Sequence, residues 1–205
     1  MQIENAGIIL LPIIAGAILG VGIKKASDVV LSSSFGRANW NNAGKAPDSL
    51  RFDPQVIAFM RLIREAESNQ TPKAYTLLNG GQDYPSLLGG KHPGVIGKGG
   101  TTTASGAYQA VLKTWKEMSV LIGLGDNAVM TPVNQEKVAL ALLSWRGALP
   151  SVLAGDLEGA YRKLHHEWEG LPIAAGMPKK KGAQIDRARA RKTFVSYGGV
   201  VAAGQ

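Results

Sequence analysis

The chain has 205 residues, with 23 Lys and Arg against 15 Asp and Glu, a formal net charge of +8, and 45% hydrophobic residues. It has no cysteine, which excludes disulfides, Cys-ligated zinc and thiol catalysis. The basic excess favours an anionic partner such as nucleic acid, an anionic membrane face or a cell-wall polymer. Aromatic residues are only 6% and no RNP-type or zinc-finger pattern is present, which disfavours specific nucleic-acid recognition.

An apolar segment, residues 8–23, carries no charge and is followed by Lys24 and Lys25. As a helix it would be about 24 Å long, short of a bilayer core of about 30 Å. Positive charges that follow the apolar run disfavour a cleaved signal peptide, and a buried core helix is an alternative. We predict that residues 1–26 form a membrane anchor with a transmembrane helix. Glu4 before the run and the two lysines after it would then keep the rest of the chain on the cytoplasmic side.

Residues 27–53 are rich in Ser, Asn, Gly and Ala, a composition typical of a linker with little fixed structure. The alternative is a strap that Phe35 and Trp40 pack onto the domain surface. We predict that residues 54–199 form the folded domain and that 200–205 are a tail.

Helical periodicity dominates the predicted domain. Asp53 and Pro54 have the character of an N-cap and a first helical residue, and they begin a predicted helix over 54–67. Residues 73–100 are dense in turn formers around two short apolar runs, which predicts a small β-hairpin from Tyr75–Leu78 and Leu87–Leu88. Further helices are predicted over 105–121, 132–145, 150–154, 156–168 and 182–197. The fold class is therefore α+β, mostly helical with a small β wing.

The end of the first helix carries two glutamates with different helical positions. Measured around the helix axis from Glu67, Met60 lies about 20° away and Ile63 about 40° away, whereas Glu65 lies about 200° away. Glu67 therefore continues the apolar stripe. A carboxylate on that stripe is costly unless it is paired or its pKa is raised, so a helix-end role and a functional role are both open.

Several segments resemble the lytic transglycosylase family of the phage lambda endolysin and its relatives. In order they are AFMRLIREAES, AYTLLNGGQDY, KHP, TTTASGAYQAVLKTW and the stretch from ALLSWRGALP to GLPIAAG. The resemblance runs from about residue 56 to about 199 and implies a lysozyme-like fold. It also implies cleavage of the β-1,4 bond between N-acetylmuramic acid and N-acetylglucosamine, which leaves a 1,6-anhydro ring. The family's catalytic glutamate falls on Glu67.

This chemistry needs one carboxyl group, which acts first as acid and then as base. Such a glutamate must start protonated, and an apolar pocket around Glu67 would supply the raised pKa. No cofactor is needed, and the adjacent pair His165-His166 is a poor zinc site because the two side chains point in different directions on a helix. Asp83 is a rival second carboxylate across the cleft, with the alternative that it is a turn residue.

The SGAYQ segment resembles the family's cleft-lining segment, so Ser105, Tyr108 and Gln109 are predicted to bind the substrate. Their hydroxyl and amide groups suit sugars, and the tyrosine ring could stack on one. The alternatives are that Ser105 only caps a helix and that Tyr108 is a core residue. His92 is a further substrate-binding candidate, with the alternative that it only holds the wing.

The remaining features are predicted to support the fold or to border the cleft and the surface. Arg146 stands at a helix end, where it suits the helix dipole and an acidic partner. The glycine-rich residues 94–104 could form a mobile lip over the cleft. The run Lys179–Lys181 and the basic last helix are either a solvated face or a patch for anionic polymers. Tryptophans at apolar helical positions are predicted to lie in the core: Trp115, Trp145 and Trp168.

We therefore expect a phage peptidoglycan-degrading lytic transglycosylase with glycan strands as its partner. Its apolar segment, residues 8–23, would contact membrane or virion components, and we expect an enzyme associated with the virion that opens the wall in the host periplasm during entry. Three alternatives are a membrane-anchored endolysin for host lysis, a non-catalytic wall-binding lysozyme-like protein, and a nucleic-acid-binding structural protein that only the net charge supports.

Overall fold

The computed structural model describes residues 46–178 and 185–204. Within those ranges the α-helices are α1 (Pro54–Glu67), α2 (Leu112–Leu121), α3 (Pro132–Trp145), α4 (Leu149–Leu153), α5 (Leu157–Leu164) and α6 (Arg187–Ser196). Short 3-10 helices cover Asp48–Phe52, Pro72–Thr76 and Pro85–Leu87. The strands β1 (Leu77–Leu78) and β2 (Gln82–Asp83) pair antiparallel, with Leu77 opposite Asp83. The predicted mostly helical α+β fold with a small β wing is confirmed.

Several predicted features lie outside the described residues. They are the anchor over 1–26 with its apolar run 8–23, most of the predicted linker, and the lysine run Lys179–Lys181. Among the helices of residues 46–178 and 185–204, none has both the length and the apolar character required to cross a bilayer.

Helix α1 is the centre of the core. It begins where Asp53 accepts hydrogen bonds from the backbone N–H groups of Gln55 and Val56, and Pro54 supplies a first residue that needs no partner. Further along the helix Phe59 is fully buried, with its ring edge-on to Phe194 of α6 at a centroid distance of 6.4 Å. The burial of α1 on nearly all sides fixes the direction of its last residue, Glu67.

Helix α3 is the second buried helix and lies where the sequence predicts it. Thr131 caps it by accepting from the N–H of Asn134, and Pro132 is its first residue. Its apolar residues surround the axis, and Val138, Ala139 and Leu143 are almost completely buried. A helix that is apolar on all sides belongs in the interior, which explains why its bounds are predictable.

The packed part of the chain extends beyond both predicted domain limits, 54 and 199. Before α1, Leu50 of the first 3-10 helix is 2% exposed. After α6, the backbone of Val200 makes two hydrogen bonds with the side chain of Gln55, one from its N–H at 2.6 Å and one to its carbonyl at 2.9 Å. Apolar burial and paired backbone groups, which the local composition does not show, set the two limits.

Other elements differ from the prediction. The helix predicted over 105–121 begins only at Leu112, because Gly106 (φ 79°) and Gln109 (φ 46°) have left-handed backbones that a helix does not allow. The hairpin pairs Leu77–Leu78 with Gln82–Asp83 and not with the predicted run Leu87–Leu88, since Tyr75 and Leu87 lie in 3-10 helices. Helix α5 ends at Leu164 and not at 168, and α6 begins at Arg187 after the cap Asp186.

Candidate active site

A groove crosses one face of the molecule, between the end of α1, the β wing and the segment after α5. It has a cavity of about 560 Å³. We call this cavity the cleft. Its walls are formed by Glu67, Ser68, Leu77, Leu78, Asn79, Gly80, Gly81, Thr101, Thr102, Ala104, Gln109, Val111, His166, Glu167 and Glu169. A second cavity of about 280 Å³ shares Gln109, Val111, His166 and Glu167 with the cleft. The two cavities therefore form one elongated groove, the shape that an extended polymer requires.

Glu67 is the last residue of α1 and stands in the wall of the cleft, half-buried. Its Oε1 accepts a hydrogen bond of 2.9 Å from the backbone N–H of Gly170. A Cβ at Gly170 would overlap the carbonyl oxygen of Ala66 and lie 3.0 Å from Oε1 of Glu67. Only glycine therefore lets the chain approach the carboxylate this closely.

Glu65 has a different environment from Glu67, as the helical positions predict. It forms an ion pair with Arg189 of α6 and does not line the cleft. The ion pair accounts for Glu65 as a surface residue, and Glu67 is the glutamate of this helix end that reaches the groove.

Gln109 is the predicted substrate residue that does lie in the cleft. Its backbone has a positive φ of 46°, the only such value for a non-glycine residue within the described ranges. Its Nε2 donates to the carbonyl oxygen of Gly106 at 2.8 Å. A strained backbone of this kind is found where the surrounding structure holds a side chain in a particular place.

Ser105 and Tyr108 are buried and are not among the cleft walls, although Tyr108 lines the second cavity of the groove. Their predicted contacts with substrate stay predictions. Ser105 is 1% exposed and its hydroxyl donates to the carbonyl of Thr103 at 2.9 Å. Tyr108 is 5% exposed, and burial raises the pKa of its hydroxyl well above the ordinary value. The carbonyl of Tyr108 accepts from Nε1 of Trp168 at 2.9 Å. Ser105 is therefore packed within the fold, and Tyr108 is buried beside the second cavity.

His92 is likewise buried and is not among the cleft walls, and its contacts fit the alternative role of holding the wing; its predicted contact with substrate stays a prediction. Its Nδ1 accepts from the N–H of Gly94 at 3.1 Å, and its Nε2 donates to the carbonyl of Ala110 at 2.9 Å. Burial lowers the pKa of this imidazole, although the bond to Ala110 opposes the effect. His92 thus joins the segment after the wing to the SGAYQ turn.

Asp83 belongs to strand β2 and is not among the cleft walls, so its predicted role at the substrate stays a prediction. Its Oδ1 accepts from the hydroxyl of Thr76 at 2.7 Å, and Oδ2 lies 3.3 Å from Nζ of Lys73. The bond from Thr76, followed by the nearby lysine, lowers the pKa of this carboxyl. Asp83 is thus a strand residue opposite Leu77, and not the turn residue that the alternative interpretation predicts.

Sequence reasoning missed several cleft residues. Asn79 precedes two glycines and therefore resembles a turn residue in sequence. Glu167 and Glu169 flank the buried Trp168, and this alternation of charged and apolar residues is a signal that could have identified an extended wall segment. Glu167 forms an ion pair with Arg146, which confirms the predicted acidic partner of that arginine.

The remaining predictions at the site are mixed. From the glycine-rich segment 94–104, Thr101, Thr102 and Ala104 line the cleft. The tryptophans Trp115 and Trp168 are buried as predicted, but Trp145 is 47% exposed because it is the last residue of α3. Among the described residues, no group of three or more His, Asp or Glu could hold a metal ion.

Comparisons with known proteins agree with this geometry. The family model for endolysins matches residues 56–201. The endolysin of Escherichia phage lambda is 30% identical over 132 residues, which are 58% of this chain and 78% of that protein. The endolysin of Escherichia phage P2 is 34% identical over 77 residues, which are 38% of this chain and 45% of that protein. The match thus spans less than half of the phage P2 protein.

Solved structures show the same fold. Bacteriophage lambda lysozyme complexed with a chitohexasaccharide superposes with a TM-score of 0.60 at 24% identity, covering 72% of this chain and 96% of that one. A second structure of lysozyme from bacteriophage lambda superposes with a TM-score of 0.55 at 23% identity. The fold is therefore lysozyme-like, and the matched family model covers most of the chain. The chain belongs to the endolysin family.

Proposed function

We propose that the protein degrades peptidoglycan as a lytic transglycosylase, with Glu67 as its single catalytic acid and base. The bond cleaved is the β-1,4 linkage between N-acetylmuramic acid and N-acetylglucosamine, and the product ends in a 1,6-anhydro ring. The observation that carries this proposal is the half-buried Glu67 carboxylate in the wall of an elongated groove, bonded to the Gly170 N–H at 2.9 Å.

The reaction divides into two proton transfers at Glu67. In the first, the carboxylic acid gives its proton to the glycosidic oxygen, and the bond from that oxygen to the anomeric carbon breaks. In the second, the carboxylate takes the proton of the sugar's own 6-hydroxyl while that oxygen bonds to the anomeric carbon. The N–H of Gly170 stabilises the carboxylate that exists between the two steps, because a hydrogen bond to an ionised acceptor is stronger than one to a neutral acceptor.

The positions of the other carboxylates favour this mechanism over hydrolysis. A glycosidase that uses water needs a second carboxyl group across the scissile bond. Asp83, the candidate from the sequence, is bonded to Thr76 within the wing, and Glu167 is paired with Arg146. Glu169 lines the cleft, is exposed, and has no ion pair or hydrogen bond with the described residues. A hydrolytic reaction would therefore have to use Glu169.

The relatives support a glycan as the ligand of the groove. The lambda lysozyme, whose fold this chain shares, has been solved with a chitohexasaccharide. We therefore propose glycan strands of peptidoglycan as the partner of the cleft. Nucleic acid is not proposed, since the cleft walls carry three glutamates, which would repel a phosphate backbone.

The test is a digest of purified Gram-negative sacculi by the full chain, with mass spectrometry of the released muropeptides. The substitution Glu67→Gln removes the proton donor and keeps the shape, so we expect a loss of activity of 100-fold or more, on the order of what a general acid contributes. Glu65→Gln is the matched control, two residues earlier on the same helix. It removes only an exposed ion pair, worth about 0.2–1 kcal/mol, and should keep its activity.

The products separate the three candidate functions. Muropeptides that end in 1,6-anhydro-muramic acid, absent with Glu67→Gln, would establish the transglycosylase. Products with reducing ends would contradict it and indicate hydrolysis, with Glu169→Gln as the next variant. No release of muropeptides by the unsubstituted chain would reject the enzyme and favour a wall-binding module.

The place of action is a separate proposal, supported by the sequence alone. Lys24 and Lys25 follow the apolar run 8–23, which favours a domain that starts on the cytoplasmic side and can be packaged into a particle. We propose that the enzyme is associated with the virion, in its membrane or injection apparatus, and acts in the host periplasm during entry. Peptide mass spectrometry of purified particles tests this. Detection of the protein only in the host inner membrane, and not in particles, would favour the alternative, a membrane-anchored lysis enzyme.

A further inference from the structure

Asn79 is a polar cleft residue to which neither the fold nor the proposed acid–base chemistry gives a role. It follows strand β1 and lines the cleft. Its backbone is held at both ends: its N–H donates to the carbonyl of Ala104 at 2.9 Å, and its carbonyl accepts from the N–H of Gly99 at 3.2 Å. The side chain is therefore attached to a fixed point between the wing and the glycine-rich segment.

The side-chain amide of Asn79 is held in one orientation by its neighbours. Its Oδ1 is buried and has no hydrogen-bond partner among the described residues. A Cβ at Gly99 would overlap this oxygen, so the amide packs directly against the glycine backbone. Gly97 is equally close, since a Cβ there would overlap the carbonyl oxygen of Asn79. The oxygen is thus buried against Gly99, whereas Nδ2 is not among the buried unpaired atoms, so we infer that the nitrogen is the end of the amide that reaches the groove.

The nitrogen Nδ2 is available for a ligand. It has no hydrogen-bond partner among the described residues, and it is not among their buried unpaired atoms. An amide nitrogen only donates, so its natural partner is an acceptor. The charged groups on the cleft walls include the carboxylates of Glu67, Glu167 and Glu169, which disfavour an anionic acceptor. A neutral carbonyl oxygen fits both conditions.

We propose that Asn79 is a substrate-binding residue whose Nδ2 donates a hydrogen bond to the acetamido carbonyl of an N-acetyl amino sugar in the cleft. The inference rests on the proposed function, because it names the substrate group that this same groove recognises. Sugar hydroxyls both donate and accept, whereas the acetamido carbonyl only accepts, so the acetylated sugar offers the group that a donor nitrogen complements in full. Because the amide is fixed before the ligand arrives, it loses little conformational entropy on binding.

Binding without turnover tests the proposal. The probe is the hexamer of N-acetylglucosamine, titrated calorimetrically into the full chain that carries Glu67→Gln. In that background Asn79→Ala should weaken binding about three- to tenfold, the range for one neutral hydrogen bond. Asn79→Asp should weaken it at least as much, because an acceptor oxygen then faces the carbonyl. Among the described residues the Asn79 side chain makes no hydrogen bond, so Asn79→Ala should melt close to the parent. Asn79→Asp places a carboxylate oxygen in the buried position of Oδ1 and should melt at a somewhat lower temperature.

Two further variants distinguish a direct contact from a general disturbance. Gly99→Ala leaves Asn79 in place but turns its amide, so it should reproduce the loss. Asn127→Ala changes an exposed asparagine outside the cleft and should bind as the parent does. If Asn79→Ala fails to fold, the affinity of Asn79→Asp for the hexamer, a variant that keeps the side-chain shape, decides whether Asn79 binds the ligand.

The outcomes separate this proposal from the proposed function. A parent that binds the hexamer, with Asn79→Ala and Asn79→Asp as tight as Asn127→Ala, overturns the role of Asn79 alone. A parent that does not bind the hexamer overturns the glycan-binding cleft and the role of Asn79 together. Weaker binding by both Asn79 variants, with the Asn127 control unchanged, supports the proposal.

Discussion

The two glutamates at the end of α1 differ only in what surrounds them. Glu65 is neutralised by Arg189 at the surface, while Glu67 accepts from a backbone N–H inside the cleft. The Gly170 N–H is a backbone donor, so it orients the carboxylate and adds no titratable charge of its own. The contact depends on Gly170, because a side chain there would collide with the end of α1.

We predict that Gly170→Ala impairs catalysis more than binding. The added Cβ needs the space between Ala66 and the Glu67 carboxylate, so the segment must move away and the N–H contact must lengthen. Crowding of this kind costs about 1–3 kcal/mol of stability, and a misplaced acid lowers the rate about 10- to 100-fold. Digestion of labelled sacculi should show a lower kcat with a nearly unchanged KM. A kcat equal to that of the unsubstituted chain would show that the Gly170 contact is dispensable.

At the scale of elements, the capped starts of α1 and α3 are where sequence and structure agree best. Asp53 with Pro54 and Thr131 with Pro132 begin α1 and α3 at the predicted residues. Each cap satisfies backbone N–H groups through contacts within three residues, so the signal is local and legible in the sequence. The turn over 105–110 lacks such a signal, since its path depends on Ala110 pairing with Ser105 and on His92.

The cap of α1 gives a prediction for the element that carries Glu67. Asp53→Ala leaves the N–H groups of Gln55 and Val56 without their acceptor, so the free energy of unfolding should fall by about 0.5–2 kcal/mol. Asp53→Asn keeps an acceptor oxygen and should lose much less. Urea unfolding measures both variants. Equal stabilities for the two variants would mean that the cap contributes nothing. Both variants should digest sacculi normally at urea concentrations below the unfolding transition, because Glu67 lies at the other end of the helix.

At the scale of the whole molecule, residues near both ends of the described chain close the core. Leu50 packs beneath α1 from before it, and Phe194 of α6 packs against Phe59 from after it. Gln55 then holds Val200 by two hydrogen bonds. The contacts of Phe59 with Phe194 and of Gln55 with Val200 join residues about 140 positions apart in sequence. They therefore form only when the whole domain folds cooperatively, and no single helix holds them by itself.

His92 makes that overall stability depend on pH. Burial lowers its pKa in the folded chain below the ordinary 6.5, so the unfolded chain takes up the proton first as the pH falls. The stabilisation is therefore present in full above about 6.5 and is lost as the pH falls toward the folded-state pKa. We expect the free energy of unfolding to drop between pH 7.5 and 5.5, and His92→Gln to make that drop smaller.

The control for this pH effect is His166→Gln, which changes an exposed histidine. It should leave the difference in unfolding free energy between the two pH values close to that of the unsubstituted chain. A His92→Gln variant with the same pH dependence as the parent would contradict the assignment, and urea denaturation at both pH values is the measurement.

The sequence by itself determined the α+β class, helices α1 and α3 and the choice of Glu67 over Glu65, because caps and helical periodicity act over a few residues. Only the tertiary structure decided which polar residues reach the groove. It placed Asn79 and Glu169 in the cleft and buried Tyr108 and His92, although all four are equally plausible in sequence. A groove is made by segments distant in sequence, here the wing and the segment after α5. Which side chains face it therefore depends on long-range packing that no local pattern encodes.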